Sequence, residues 1–327
     1  MSCPINFVLR LVILCCFTYC GYSQQHPYEL KVTSENDNYC LQFHDGYYTN
    51  GLFLTLNYLP NRLNKRITDA NKLTKITSSY QLGQLIFTPG SIGPAITVDL
   101  IDRPFAGYLF AEKGMTFFYK KGHVLKTSVA VGVVGKDALA EQSQLFIHRT
   151  FDLIKPKGWN YQVKNEIGVN LQGQYWHELI PDSWRKTWLN VHATSQVTIG
   201  NTFTNASAGF LFQVGRFARP DQSSLFNARI DRVQAPTQKT TELYGFFHPS
   251  YQYQLYNATV EGGLFSSNAG AILSPLRHWG YRNDIGFVFS QARWTLQVVY
   301  SFKQRETARM RQNEQYVGLT TAYRFGQ

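Results

Sequence analysis

From Tyr28 to Phe325 the chain alternates apolar and polar residues with a period of two, in twelve separate runs. Successive side chains of a β-strand point to opposite faces, so this alternation marks strands with one apolar and one polar side. The runs are 28–36, 49–59, 79–87, 106–120, 124–134, 159–176, 188–200, 204–216, 243–261, 279–291, 293–305 and 315–325. In the eleventh, Trp294, Leu296, Val298, Tyr300 and Phe302 alternate with Thr295, Gln297 and Ser301. Many runs carry Tyr, Phe or Trp near an end, where the aromatic girdles of membrane barrels lie. Charged residues are only 16% of the chain and aromatic residues 15%, which excludes a disordered chain. After the N-terminus no apolar run approaches the roughly 20 residues of a membrane helix. The pattern predicts an all-β fold, a twelve-stranded antiparallel transmembrane β-barrel whose closure leaves no unpaired edge. A soluble β-sandwich would need fewer aromatics facing outward.

The N-terminus is an address. Arg10 precedes the apolar Leu11–Phe17 stretch, and Gly21-Tyr22-Ser23 supplies small residues at cleavage spacing. Residues 1–23 therefore read as a secretory signal peptide and 24–327 as the barrel. The stretch is short for an anchor, and Tyr19 sits where lipidation of Cys20 would want a small residue. Cys3, Cys15, Cys16 and Cys20 leave with the leader, so Cys40 alone remains and no intramolecular disulfide can hold the exported protein. The net charge of +11 comes without a Lys/Arg-rich run or zinc-ligand spacing, which excludes a nucleic-acid partner. Basic residues gather between the runs instead, as at Arg62, Lys65 and Arg66, and suit an anionic membrane surface.

With both termini on the inner side, parity places external loops near 37–48, 88–105, 135–158, 200–204, 262–279 and 305–315. Two connections assigned to the inner side, 60–78 and 217–242, are long for such turns and leave the strand count open by a pair. One external loop breaks the alternation. Residues 137–151 read as a helix that Asp137 caps, with Pro156 and Gly158 stopping it. Glu141, Gln144 and His148 are spaced by three and four, so they share a face. Leu145 and Phe151 mark an apolar side fit to pack on the barrel rim. At the same rim, Asn36, Asp37 and Asn38 end the first strand while Thr49 opens the second. These oxygen donors suit a hard cation such as calcium, although an Asn/Asp-rich turn chosen for its backbone freedom has the same composition. Arg103 stands at the outer end of the fourth strand, where it could hold an anionic group.

Several of these motifs, in this order, resemble the outer-membrane lipid A 3′-O-deacylase family. They are Glu35-Asn36-Asp37 with Tyr47-Tyr48-Thr49-Asn50-Gly51, Asp102-Arg103-Pro104-Phe105-Ala106-Gly107, Gly132-Val133-Val134-Gly135, His148, and Gly158-Trp159-Asn160-Tyr161-Gln162 with Asn165-Glu166. The resemblance implies a calcium-dependent esterase of the bacterial outer membrane. Such an enzyme removes the 3′-linked acyloxyacyl chain of lipid A, at an exterior site between barrel wall and loop helix. It carries the family's Asn-Asp pair onto Asn36 and Asp37, its rim hydroxyl onto Thr49 and its histidine onto His148. An acidic partner falls on Glu141, with Glu166 and Asp152 as alternatives, and Asn36, Asp37 and Glu141 would be the calcium ligands. Arg103 and Gln144 would contact the substrate, lipopolysaccharide being the partner and the protein a monomer. The chain has no Gly-x-Ser-x-Gly elbow, so a histidine-activated water rather than an acyl-enzyme is indicated. A non-enzymatic barrel, porin or binding protein, is the rival.

Overall fold

The computed structural model describes residues 26–40, 46–67, 72–90, 92, 97–180, 188–231 and 241–326. The leader lies outside them. Twelve strands close into one antiparallel barrel, each paired with its sequence neighbours and the first with the last. They are β1 (Tyr28–Asn36), β2 (Tyr47–Tyr58), β3 (Leu73–Thr88), β4 (Ala106–Tyr119), β5 (Val124–Val134) and β6 (Glu166–Glu178). Then follow β7 (Leu189–Gly200), β8 (Phe203–Arg216), β9 (Glu242–Asn257), β10 (Trp279–Gln291), β11 (Trp294–Lys303) and β12 (Glu314–Phe325). Closure pairs Tyr28 with Phe325 and Asn36 with Val317. No helix among the described residues is long and apolar enough to cross a membrane; the strands do so.

The alternation sorts side chains between two solvents. Leu30, Leu54, Leu82, Val131, Leu171 and Ile285 point outward and are exposed, as lipid-facing residues must be in the isolated chain. Their neighbours fill the lumen with paired polar groups. Arg324 Nη1 donates to Glu29 Oε2 at 2.9 Å, and the Arg282 guanidinium to Asp284 at 2.9 Å. Satisfying such groups internally is obligatory where water is scarce.

At the end carrying the termini, the β4–β5 and β10–β11 turns are short, but β8–β9 is not. Residues 217–231 fold back into the mouth as two 3-10 turns, Pro220–Gln222 and Ser224–Phe226. Phe226 and Ala228 pack among the lumen-facing Phe118, Val124, Leu211 and Tyr244. Lys75 Nζ donates to the Ala228 carbonyl at 2.7 Å and pairs with Asp231 at 3.2 Å. The length that left the strand count open is thus a plug, and the other long connection shrinks because β3 starts at Leu73. The predicted runs 159–176 and 243–261 were each too long at one end. Residues Trp159–Tyr161 form a 3-10 turn that buries Trp159, and Asn257 caps a helical turn at Ala258–Glu261 by accepting from Thr259 N at 3.0 Å.

Candidate active site

At the far end of the barrel, outward positions that elsewhere meet lipid are covered. Thr49, Ile86 and Thr88 are all buried there. The cover is the β5–β6 connection with helix α1 (Ala140–Thr150), helped by residues 97–105. The helix is shorter than predicted. A 3-10 turn at Lys136–Ala138 and Leu139 at φ 58° precede it, so Leu139 and not Asp137 occupies its N-cap, without a side-chain bond.

Glycine decides how close α1 comes. Gly107 faces outward on β4, and a Cβ there would lie 2.5 Å from the Ala140 Cβ and 2.9 Å from that of Ala138. Gln84 Nε2, outward on β3, donates to the Ala138 carbonyl at 2.7 Å and clamps the helix entry to the wall. Beyond the helix, Gly158 takes φ +107°, and a Cβ there would reach the Phe105 ring at 2.6 Å. Phe105 and Trp159 then pack with centroids 5.0 Å apart, in one apolar cluster with Ile86 and Ala140.

The buried face of α1 is polar. Ala140, Gln144 and His148 point to the wall, whereas Leu145 is half-buried and Phe151 exposed, contrary to the expected apolar packing. The reason lies in the partners on offer. Gln144 Oε1 accepts from Trp159 Nε1 at 2.9 Å, which braces the buried face of the helix against the 3-10 turn. His148 Nδ1 bonds the Ile154 carbonyl, while the Leu153 amide returns to the His148 carbonyl at 2.8 Å. A carbonyl can only accept, so Nδ1 carries the proton and Nε2 the lone pair in the neutral ring.

Thr49 is the extra residue of a β-bulge: Tyr48 pairs with Phe87 and the next pair is Asn50 with Ile86. Bulges re-aim side chains beside sites, and this one brings Thr49 Oγ1 to 2.7 Å from Thr88 Oγ1 on the outer face. Asn36 lies opposite Asn50. Asn36 Oδ1 and Asp37 Oδ1 converge on the Asn38 amide, each at 2.8 Å, and Asp37 Oδ2 accepts from Gly46 N at 2.7 Å. Asp37 also lines a cavity of 190 Å³ with Tyr47, Asp102, Arg311 and Gln315. The chemistry of this oxygen pair fits a hard cation.

Glu141 sits apart from that pair. It lines a cavity of 430 Å³ with Lys136, Trp159, Asn160, Lys164 and Asn165. Among the described residues no three His, Cys, Asp or Glu side chains come together as metal ligands. The alternatives differ in kind: Asp152 is exposed, and Glu166 anchors a loop by accepting from the amides of Leu264, Phe265 and Ser266 at 2.8–3.1 Å. Arg103 stands in the connection before β4. It is fully buried, with Nη2 donating to Glu306 Oε2 at 2.8 Å and to Thr259 Oγ1 at 3.0 Å. A carboxylate of its own chain thus faces this guanidinium, and the pair ties three far-end connections together. Burial alone would raise the Glu306 carboxyl, but the Lys303 ammonium and Arg103 guanidinium outweigh it and hold the group at about 2.

These features define a closed membrane β-barrel whose outer wall carries a loop helix, with a buried, hydrogen-bonded histidine on the face packed against that wall. Residues 8–325 match the family described as outer membrane protein LpxR, and the chain belongs to this lipid A 3′-O-deacylase family. Among solved structures it resembles LpxR from Salmonella typhimurium, with 18% identity and a TM-score of 0.71 over 91% of this chain and 100% of that one. The β domain of the Bordetella autotransporter BrkA covers 92% of this chain and 100% of that one, with 9% identity and a TM-score of 0.49. No curated protein matches the chain. The protein is an outer-membrane barrel of the lipid A deacylase class.

Proposed function

We propose that the protein is an esterase that hydrolyses the 3′-linked acyloxyacyl chain of lipid A, with His148 as general base. The observation that carries this reading is the histidine itself. It is buried against the barrel wall, and its Nδ1 is tied to the Ile154 carbonyl. That bond orients the ring and keeps Nε2 as the nitrogen that takes a proton from the attacking water. The Thr49–Thr88 hydroxyl pair supplies a further donor on the same outer face. Asn36 and Asp37 would hold calcium, which when bound stabilises negative charge on the ester oxygen. Glu141 is the acidic group we assign to the polar cavity beside the helix.

Export follows the 1–23 leader, the protein works as a monomer, and the long connections of the far end face the exterior. The plug in the opposite mouth speaks against a passive porin. The test is mass spectrometry of lipid A after incubation with the purified protein, with calcium and with chelator. Loss of the 3′-linked chain only when calcium is present supports the proposal; intact lipid A in both overturns it.

A further inference from the structure

The outward side of α1 is the unexplained surface. Phe146 is 70% exposed, Phe151 61% and Ile154 65%, with Leu153 also exposed, all within nine residues. The main chain of Leu153 and Ile154 holds His148, and the side chains are left exposed. Apolar groups so close together rarely face water without a partner.

The wall beneath identifies that partner. α1 is seated on Gln84, Ile86 and Gly107, which share their orientation with the lipid-facing Leu82 and Leu109 in the β3–β4 register. The helix therefore lies on the lipid side of the barrel. Ile167, exposed at the far end of β6, carries the apolar wall up to the same loop. Arg149, Lys155 and Lys157 are exposed around the apolar side chains. Apolar bulk flanked by cations is the composition of a segment lying in a bilayer interface, where the chains enter hydrocarbon and the cations meet anionic headgroups.

We infer that the outward face of α1 and residues 151–154 is inserted into the acyl layer of the leaflet around the far rim. The partner of this surface is a lipid bilayer. The cavity beside the helix, lined by Glu141, Trp159 and Asn165, then lies at the acyl layer, and a lipid reaches it from within the leaflet. The insertion rests on the barrel's membrane placement; only its effect on turnover rests on the deacylase reading.

Spin labels test the insertion without reference to activity. In a Cys40→Ser protein reconstituted in phospholipid vesicles, labels at Phe146→Cys and Phe151→Cys should collide with oxygen and be shielded from a water-soluble nickel chelate. They should match a label at Ile167→Cys on the wall and differ from one at Lys121→Cys in the β4–β5 turn. Labels at 146 and 151 that behave like the one at 121 overturn the proposal. The double variant Phe146→Ser, Phe151→Ser should raise KM for vesicle-embedded lipid A at least about tenfold and leave kcat in detergent micelles unchanged. An equal loss in both media, or none in vesicles, overturns lateral entry. A wild-type protein that cleaves no lipid A while its labels report insertion removes the deacylase reading alone.

Discussion

One histidine and one glutamate carry most of what can be tested side chain by side chain. His148 is held by the Ile154 carbonyl and buried on the wall side of α1. As general base it should contribute about 10²–10⁴-fold to the rate, and His148→Ala should lose that much. Heat-modifiable gel mobility should be unchanged, because the helix takes no part in strand pairing. The acid limb of the rate–pH profile should go with it, since a protonated imidazole accepts nothing. A folded alanine variant at near wild-type rate would falsify the assignment. Glu306 makes a second pH prediction. Its folded value of about 2 lies below the ordinary carboxylate range of about 4.3. The ion pair with Arg103 is therefore at full strength above that range and is lost as pH falls toward about 2. Pepsin should cut connections 258–278 and 304–313 of the wild type only near the bottom of this window. Glu306→Gln leaves a buried guanidinium without its counter-charge, which costs about 3–5 kcal/mol, so cleavage should begin already near the top.

At the scale of elements, the decisive contact is helix against wall. Gly107 lets α1 approach, and a β-branched side chain would collide with Ala140 and Ala138. Gly107→Val should displace the helix at a cost of about 1–3 kcal/mol. Turnover should collapse while the barrel still shifts on gels; full activity in this variant would show that the seating of α1 does not matter. Strand limits were legible in the sequence because alternation is a local property: Val124–Val134 and Trp279–Gln291 are as the pattern predicts. The helix was legible as well, but not which way it faced. Leu145 and Phe151 looked like its core side, yet Trp159 and the Ile154 carbonyl give Gln144 and His148 partners against the wall. On a lipid-facing wall the usual inference from apolarity to burial is reversed.

For the whole molecule, the barrel is closed at one mouth by its own chain. The 217–231 segment is held by Lys75 and by Glu242, which accepts from Ser224 N at 2.9 Å and Ala218 N at 3.0 Å. Planar bilayers containing the wild type should therefore show no stable conductance. Lys75→Met combined with Glu242→Gln removes both clamps and should produce intermittent channel openings; steady porin-like currents from the wild type would contradict the plug. The sequence by itself determined the twelve-fold alternation, the closed sheet it implies, the single long loop helix and the Asn36-Asp37 and Arg103-to-Gly107 motifs, because each is written in neighbouring residues. Tertiary structure alone decided that Arg103 meets Glu306 across 203 positions, that Thr49 is a bulge, and that α1 turns polar residues inward. Such choices depend on which surfaces closure brings together, and on a solvent that is water at one end of a strand and hydrocarbon along its middle.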